Sequence, residues 1–486
     1  MRNVGERNEL TAHPPGRRAR PGCGRRPRLR RRRRGRWQGV VCLLAVGMAT
    51  SACTEVVPGV GTYSSLRTAP DARIQIQGLA HGTPTEVDRI AANAVSDIQD
   101  FWAEQMPKEF GQRYRRISGG IYSVDPHDAN QRVPCVAKPT DIAGNAFYCP
   151  QADAVAWDRV TLLPALQRRF GTFPIAMVLA HELGHAVQAR TSEPGTRTIV
   201  IEAQADCYAG AWTRAAQQGG AKHFQVDSAS LDQALGGYLL FRDPVGSDPN
   251  DEQAHGNAFD RVSAFQEGYE QGVSHCRDFN DRRTFTEVPF LDSRDAAVRG
   301  NESFAQAMQD GPADLARFWQ STFEDRYGST WHPIAGVRGF DGGDDSKRPR
   351  CGAVTITQAV RYCEPDRTLY FDDTRVLPNI YRRTGDFGPM TLLAVGYGQA
   401  VRSQLGLSTT GTDALTNEIC LAGGYAGAVS QRSADADGFA LSPGDLDEAV
   451  QALLGFGGTA LGEPGSSGFA RIKAFREGFA DIGNCA

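Results

Sequence analysis

The chain has 486 residues, of which 41% are hydrophobic and 22% charged, and this ordinary globular composition excludes a wholly disordered protein. Its length suits two domains of about 200 residues each behind an N-terminal segment. The formal net charge is −3, but the charged residues are unevenly distributed along the chain. The first 36 residues contain 14 Arg and only two acidic residues. From Cys53 onward 39 basic residues face 54 acidic ones, and the resulting net charge of −15 argues against nucleic acid as a partner.

The N-terminal segment has the pattern of an export signal. A basic run, Arg30–Arg36, leads into the short apolar stretch Trp37–Ala49, as in a signal peptide, and this stretch is short for a membrane-spanning helix. Small residues then precede Cys53, as in a bacterial lipobox, although Thr50 stands where Leu is usual. We therefore expect an exported protein, held at the outer face of the cell membrane by a lipid on Cys53 or by an uncleaved signal anchor, or else released to the extracellular medium.

Four elements are predicted before His181. Thr83-Pro84-Thr85-Glu86 has the pattern of a capped helix start, and the helix is expected to run to about Gln105. Residues 116–124 and the alternating segment Ala154–Asp158 are predicted to be strands. A helix is then expected over residues 162–169.

The stretch His181-Glu182-Leu183-Gly184-His185 lies in an apolar run that predicts a helix over residues 175–190. Two His at positions i and i+4 project from the same helix face, so both imidazoles can reach one metal ion. Zn²⁺ favours such ligands and keeps a position open for water when three protein groups bind it. Glu182 can then act as the base that takes a proton from that water.

A second predicted helix, over residues 200–218, supplies a third ligand. Glu202 and Asp206 are four residues apart and therefore lie on one helix face. Glu202 as the third zinc ligand completes a two-His, one-Glu set, and Asp206 can accept the free ring N–H of a ligand His.

These two segments resemble those of the bacterial neutral zinc metallopeptidases, in which an H-E-x-G-H helix is followed by an E-x-Q-A-D-C-x-A-G helix. The resemblance covers roughly residues 113–276 and implies an architecture similar to zincins of the gluzincin type. It also implies that His181, His185 and Glu202 bind zinc and that Glu182 is the catalytic base.

Two further features are read through the same resemblance. His255 begins a segment similar to the family's H-G-x-x-x-x-R stretch, which suggests a catalytic role in polarising a carbonyl or stabilising an oxyanion. In zincins an edge strand near the metal helix holds an extended peptide, and Ala154–Asp158 is the candidate for that strand.

The turn-rich residues 243–257 are expected to line the cleft, followed by one helix over residues 258–275.

The second half of the chain repeats parts of the first in the same order, which predicts two tandem copies of one domain. The matching segments are Leu163–Phe173 with Leu377–Phe387, Cys207–Gly210 with Cys420–Gly423, and Phe259–Tyr269 with Phe469–Phe479.

The second copy lacks the residues that carry the chemistry. In this register His181, Glu182, His185, Glu202 and Asp206 fall on Val395, Gly396, Gln399, Leu415 and Ile419, and the nearest counterpart of His255 is Gly465. We therefore expect one zinc ion per chain, in the first copy. The second copy is expected either to pack and stabilise the protein or to bind a substrate or partner.

Eight cysteines follow Cys53, four in each copy and in the same order. Four cysteines allow three pairings, and we favour Cys135–Cys149 and Cys207–Cys276, with Cys351–Cys363 and Cys420–Cys485 to match. Disulfides agree with export, because they persist in oxidising compartments. A thiolate ligand at Cys207 is the alternative, but the second copy keeps the equivalent Cys without the metal residues.

The sequence thus predicts an α+β protein of two tandem zincin-like metallopeptidase domains, each mainly helical with a small sheet. The expected activity is hydrolysis of peptide or protein substrates, by an endopeptidase in preference to an exopeptidase. The alternatives are a non-catalytic cell-envelope scaffold and a zinc amidase acting on cell-wall peptides. The sequence does not predict the oligomeric state. The expected divisions are a leader at 1–52, a tether at 53–80, the active domain at 81–278, a linker at 279–300 and the degenerate domain at 301–486.

Overall fold

The computed structural model describes residues 69–79, 83–191, 195–252, 254–286, 288–432 and 439–485. The predicted leader and the proposed lipid-attachment residue Cys53 lie outside the described residues. Among the residues described, no helix combines the length and apolarity that crossing a bilayer requires.

The first half of the described chain builds a small sheet between helices. Its elements are α1 (Glu86–Phe110), β1 (Ile121–Val124), β2 (Ala146–Cys149), β3 (Ala154–Asp158), α2 (Leu162–Phe170), α3 (Phe173–Gln188), α4 (Thr198–Ala215), α5 (Ser228–Phe241), α6 (Ala258–Gln271) and α7 (Val273–Arg277).

The second half follows a closely similar order. Its elements are α8 (Ser293–Ala297), α9 (Phe304–Tyr327), β4 (Gly336–Phe340), β5 (Arg350–Cys351), β6 (Val354–Thr355), β7 (Val360–Cys363), β8 (Thr368–Asp372), α10 (Val376–Thr384), α11 (Phe387–Gln404), α12 (Thr412–Ser430), α13 (Asp445–Gly455), α14 (Gly457–Ala460) and α15 (Gly468–Ala480). The structure is therefore mainly helical with small sheets, an α+β fold.

The two three-stranded sheets have the same topology. The strand order is β1-β3-β2 in the first half and β4-β8-β7 in the second, and in each sheet the middle strand pairs parallel with one neighbour and antiparallel with the other. The prediction that Ala154–Asp158 is an edge strand is wrong, because β3 is the central strand and all five of its residues are buried. The edge strands are β1 and β2, and β2, which was not predicted from the sequence, is the one that contacts α3.

Two helix boundaries also differ from the prediction. Helix α1 begins after Thr85, not Thr83, because Thr85 and Asp88 form the reciprocal capping box, with the Thr85 amide donating to Asp88 Oδ2 at 2.8 Å. The single helix expected over residues 258–275 is divided at Gly272. This glycine has a φ of +80°, a left-handed conformation that ends α6 and starts α7.

The two halves share one hydrophobic core, so the structure does not separate them into two compact bodies. Their contact includes an exchange of helix caps. The carboxylate of Asp232 on α5 accepts the Gly468 and Phe469 amides at the start of α15, and Asp447 on α13 accepts the Phe259 amide at the start of α6. The division into two domains with the boundaries given above stays a prediction.

The structure contains the four disulfides that the cysteine order favoured. Cys135 pairs with Cys149 and Cys207 with Cys276 in the first half, and Cys351 pairs with Cys363 and Cys420 with Cys485 in the second. The Cys207–Cys276 bond ties α4 to α7, and its sulfur is therefore not a free thiolate ligand.

Candidate metal centre

Helix α3 carries the two histidines of the motif through the centre of the first half. Pro174 lies in the first turn, where it sacrifices no helical hydrogen bond, and nearly every residue of the helix is buried. His181 and His185 lie one turn apart on the same face, and their Nε2 atoms are 3.2 Å from each other. Two nitrogen donors thus face one point, as the i, i+4 spacing predicted.

Helix α4 brings Glu202 to the same point. The two helices approach closely because Gly184 has no side chain, and a β-carbon there would lie 3.1 Å from the Ala205 Cα. Glu202 Oε2 is 3.1 Å from His181 Nε2, and Glu202 Oε1 is 3.4 Å from His185 Nε2. The structure therefore brings together the three residues that the sequence analysis proposed as ligands.

The geometry of these donor atoms suits a tetrahedral metal ion. Zinc–nitrogen distances of about 2.0–2.1 Å place neighbouring donors of a tetrahedron roughly 3.3 Å apart. The separations of 3.1–3.4 Å match this value. In addition, Glu202 Oε2 is buried and has no hydrogen-bond partner, which is costly unless a cation satisfies it. The residues present thus fit zinc in both donor type and spacing.

The electrostatics of the site favour a positive charge. Burial raises the pKa of Glu202, but the charges of the neighbouring His185 and His181 rings outweigh it and hold the pKa well below its usual range. Burial alone would lower the pKa of His181, but Asp206 and Glu202 raise it to about 10. A bound cation meets the same demand for positive charge.

Residues behind the ligands fix the orientation of both imidazoles. Asp206 Oδ1 is 2.7 Å from His181 Nδ1, and the same carboxylate receives two hydrogen bonds from Arg261 at 2.9 and 3.0 Å. His185 Nδ1 lies 2.8 Å from Gln188 Oε1, while Gln188 Nε2 donates to the Ile201 carbonyl at 2.8 Å. Each Nε2 is thereby left to face the centre.

Glu182 is positioned by the edge strand. Its Oε2 accepts the backbone N–H of Tyr148 on β2 at 3.0 Å. Burial is the largest influence on Glu182 and raises its pKa, as expected for a carboxylate that accepts and returns protons. The carboxylate lies at the wall of a cavity of about 570 Å³, which the three ligand residues also line.

His255 lies on the opposite part of the cavity wall. Its side chain is 51% exposed, and its Nδ1 is 3.5 Å from Asp243 Oδ1. Asp243 also accepts the backbone amides of His255 and Gly256 at 2.8 and 2.7 Å, so it holds the whole turn in place. The hydrogen bond that His255 donates to Asp243 raises the pKa of His255. His255 therefore borders the cavity without contacting the three ligands.

In the second half, the space that corresponds to the Glu182 side chain is filled by side chains of the sheet. A β-carbon on Gly396 would lie 2.6 Å from Leu369 Cδ1 and 2.8 Å from Val360 Cγ1, so the sheet occupies the space of a carboxylate at that position. The Gln399 side chain instead accepts the Tyr362 backbone amide at 2.8 Å, the bond that Glu182 makes with Tyr148 in the first half. The second half therefore keeps the frame of the site without its ligands.

Comparison with known proteins agrees with this geometry. The sequence model of a family described as "Putative neutral zinc metallopeptidase" matches residues 15–279, just over half of the chain. The chain belongs to this family. Membership makes the family's zinc the expected metal and peptides the expected substrates. No solved structure matches the chain.

The similar proteins are themselves described as uncharacterized. YpfJ of Escherichia coli (strain K12) is 27% identical over 215 residues, which is 40% of this chain and 72% of the relative. Mb2605 of Mycobacterium bovis and Rv2575 of Mycobacterium tuberculosis are each 26% identical over 244 residues, 45% of this chain and 75% of the relative.

Sequence reasoning missed several residues that build the site. Gln188 orients His185 and Asp243 holds His255, but a lone Gln or Asp carries no sequence signal for this role. The Tyr148 contact is made by a backbone amide, which no motif can reveal. Arg261 was visible as the last residue of the H-G-x-x-x-x-R stretch, and Asp206 was predicted to bind a ligand His, but the pairing of Arg261 with Asp206 was not predicted.

Proposed function

We propose that this protein is an exported zinc-dependent peptidase with a single active centre in its first half. His181, His185 and Glu202 hold the zinc ion, and Glu182 is the general base. The observation that carries the proposal is the convergence of the three donor groups at 3.1–3.4 Å on the wall of an accessible cavity. The second half is a degenerate copy, which the shared sheet topology and disulfide order support.

The chain's own residues account for the proton transfers of such a reaction. Zinc, when bound, supplies Lewis acidity that activates water and polarises a carbonyl. Glu182, fixed by the Tyr148 amide, takes the proton of the attacking water on its carboxylate and delivers it to the nitrogen of the leaving amine. Asp206 and Gln188 keep the two imidazoles in the orientation that binds the metal. His255, at the cavity wall, is placed to donate to the substrate carbonyl oxygen.

The outer edge of β2 is the proposed docking site for the peptide backbone. In an antiparallel pair, alternate residues point their N–H and C=O groups away from the partner strand. Asn145 accepts a hydrogen bond from the Asp158 amide of β3, so Ala146 and Tyr148 direct their backbone groups away from β3, along the cavity. Their N–H groups donate to Asn145 and Glu182, so their carbonyl oxygens are the groups available to a peptide. An extended chain can add to this edge and continue past both ends, which favours an endopeptidase.

Replacement of Glu182 by Gln tests the mechanism. The amide keeps the size of the side chain but cannot take up a proton, so we expect peptide hydrolysis to fall at least about 100-fold with zinc stoichiometry unchanged. The measurement is metal analysis of the purified full chain together with cleavage of a peptide library. Glu252→Gln, at an exposed position near the cavity, is the matched control and should keep the parent rate. Equal cleavage by Glu182→Gln and the parent would contradict the proposal.

The same experiment separates the two alternatives. Stoichiometric zinc without turnover of any peptide would support a non-catalytic cell-envelope scaffold. Turnover confined to cell-wall peptides, with the same loss in Glu182→Gln, would identify a zinc amidase that uses the same residues.

Export and lipid attachment at Cys53 belong to the same proposal. They are supported by the basic and apolar pattern of residues 1–52 and by four disulfides, which persist in oxidising compartments. In a bacterial host, the parent should fractionate with membranes, whereas Cys53→Ser should lose acylation and be released. Cys42→Ser, within the apolar stretch, should behave as the parent. If Cys53→Ser remains in the membrane fraction, an uncleaved anchor replaces the lipid.

A further inference from the structure

A second group of candidate metal ligands lies in the second half, far along the chain from the zinc residues. Asp386 precedes α11, and Asp445 and Glu448 lie in the first turn of α13. One carboxylate oxygen of each lies within 4.8 Å of the others, and all three residues are buried. Within the described residues, none of the three forms a salt bridge with Lys, Arg or His.

One oxygen of each carboxylate accepts a backbone hydrogen bond, and in two of the three the other oxygen has no partner. Asp386 Oδ2 accepts the Glu302 amide at 2.7 Å, Asp445 Oδ2 the Ser442 amide at 2.8 Å, and Glu448 Oε2 the Phe387 amide at 2.8 Å. Oδ1 of Asp386 and Oδ1 of Asp445 are buried and have no hydrogen-bond partner. Fixed carboxylates with free buried oxygens are costly unless protons or a cation satisfy them.

Like charges add to this cost. Burial is the largest influence on Asp445, followed by the charges of Glu448 and Asp386, and together they raise its pKa well above the usual range. The amides at the starts of α11 and α13 offset only part of the repulsion. A bound cation would remove it.

The first half offers an internal comparison. Asp232 and Asp447 make the exchanged helix caps, so α5 and α13 correspond residue by residue. In this register Ser230 stands opposite Asp445 and Gln233 opposite Glu448, while Thr172 and Asp386 both precede the Phe that begins the next helix. Three neutral residues, Thr172, Ser230 and Gln233, therefore occupy the positions of the three acids. The fold does not need carboxylates at these positions, so their presence in the second half calls for a separate reason.

An acidic cavity leads to the three carboxylates. Gly385 has a φ of +123°, and a β-carbon there would lie 1.9 Å from Glu448 Oε1 and 2.2 Å from Asn301 Oδ1, so only glycine lets these oxygens pack against the backbone, as Gly171 does beside Gln233 in the first half. Asp386 also lines a cavity of about 330 Å³. The other charged residues of that cavity are Asp295, Glu302, Asp310 and Arg317, and Arg317 pairs with Asp314, so the path is acidic.

We propose that Asp386, Asp445 and Glu448 form a binding site for a calcium ion. The donors are all hard oxygens, which suit Ca²⁺ or Mg²⁺ and not zinc. Ca²⁺ is favoured because it accepts several protein oxygens in flexible geometry, whereas Mg²⁺ retains most of its water. The ion would tie the start of α11 to the start of α13, the helix whose Asp447 contacts the first half. The second half has thus lost a zinc site and gained a site for a different cation.

Calcium titration of the full chain tests this proposal. Bound ions are removed with EDTA, one equivalent of zinc is restored, and CaCl₂ is added while heat release and thermal unfolding are followed. We expect one Ca²⁺ per chain and a midpoint of unfolding that rises with its concentration. Asp386→Thr and Glu448→Gln install the residues of the first half, so they should fold. Each should weaken Ca²⁺ binding at least tenfold, while the calcium-free protein is no less stable than the parent.

Asp310→Asn is the matched control, because Asp310 lines the same cavity outside the three-acid group, and it should bind Ca²⁺ within twofold of the parent. Absence of binding to the parent at millimolar Ca²⁺ would mean that shared protons satisfy the three acids, and it would overturn the proposal. Parent-like affinity in both variants, or an equal loss in Asp310→Asn, would place the site elsewhere. Tighter binding of Mg²⁺ than of Ca²⁺ would overturn the choice of ion.

Discussion

Asp206 shows how one buried residue connects the metal site to the surrounding packing. Its carboxylate contacts the ring of His181 on one side and receives two hydrogen bonds from the Arg261 guanidinium on the other. All three side chains are buried. The negative charge of Asp206 therefore serves two partners, and its removal should affect metal affinity and stability separately.

We predict that Asp206→Asn weakens zinc binding about 10- to 100-fold, because the neutral amide oxygen is a weaker acceptor for the His181 ring N–H and Arg261 competes for it. The same change leaves the buried Arg261 without a counter-charge, which should cost on the order of 3–5 kcal/mol of unfolding free energy. Chelator competition measures the first effect, and denaturant unfolding of the zinc-free protein measures the second.

Asp260→Asn is the control for this prediction. Asp260 is also buried, but it contacts Asn257 and Thr286 and not the ligand residues. Its zinc affinity should equal that of the parent. Unchanged zinc affinity in Asp206→Asn would show that packing alone orients His181.

At the scale of elements, helices were predictable where the signal was local. The i, i+4 spacing of the two histidines and of Glu202 with Asp206 placed all four side chains correctly, because a helix fixes which residues share a face. The end of α6 was missed because Gly272 can continue a helical pattern or break it, and only its left-handed φ shows which. Cysteine order in two repeated halves was informative for the disulfides, since each half restricts the pairing in the other.

Strand positions were less predictable. The alternation of apolar and polar residues shows which face of a strand is buried, but not which strands lie beside it. The central strand β3 has the most regular pattern, whereas the edge strand β2 is only four residues long and contains Tyr148 and Cys149 among apolar neighbours. The site depends on this edge through the Tyr148 amide. That part of the site therefore required the paired sheet, which the sequence alone does not give.

At the scale of the whole molecule, the exchanged helix caps indicate what the second half contributes to the first. Asp447 on α13 of the second half accepts the Phe259 amide at 3.0 Å and pairs with Arg242 at 3.1 Å. Phe259 lies in the first turn of α6, which carries Arg261, and Arg242 precedes Asp243, the residue that holds the His255 turn. The second half thus supports two walls of the cavity from behind.

The reciprocal cap provides a matched pair of variants for this idea. Asp447→Asn should weaken the support of α6 and of the Arg242 turn, and we expect kcat/KM on a fluorogenic peptide to fall several-fold with zinc content unchanged. Asp232→Asn leaves one of the two acceptors of the equivalent cap on α15, which does not border the cavity, so it should lower thermal stability by a similar amount and leave kcat/KM near the parent value. Equal losses of activity in both variants would mean that the second half acts only through overall stability. An unchanged rate in Asp447→Asn would mean that the first half positions its own catalytic residues without the second.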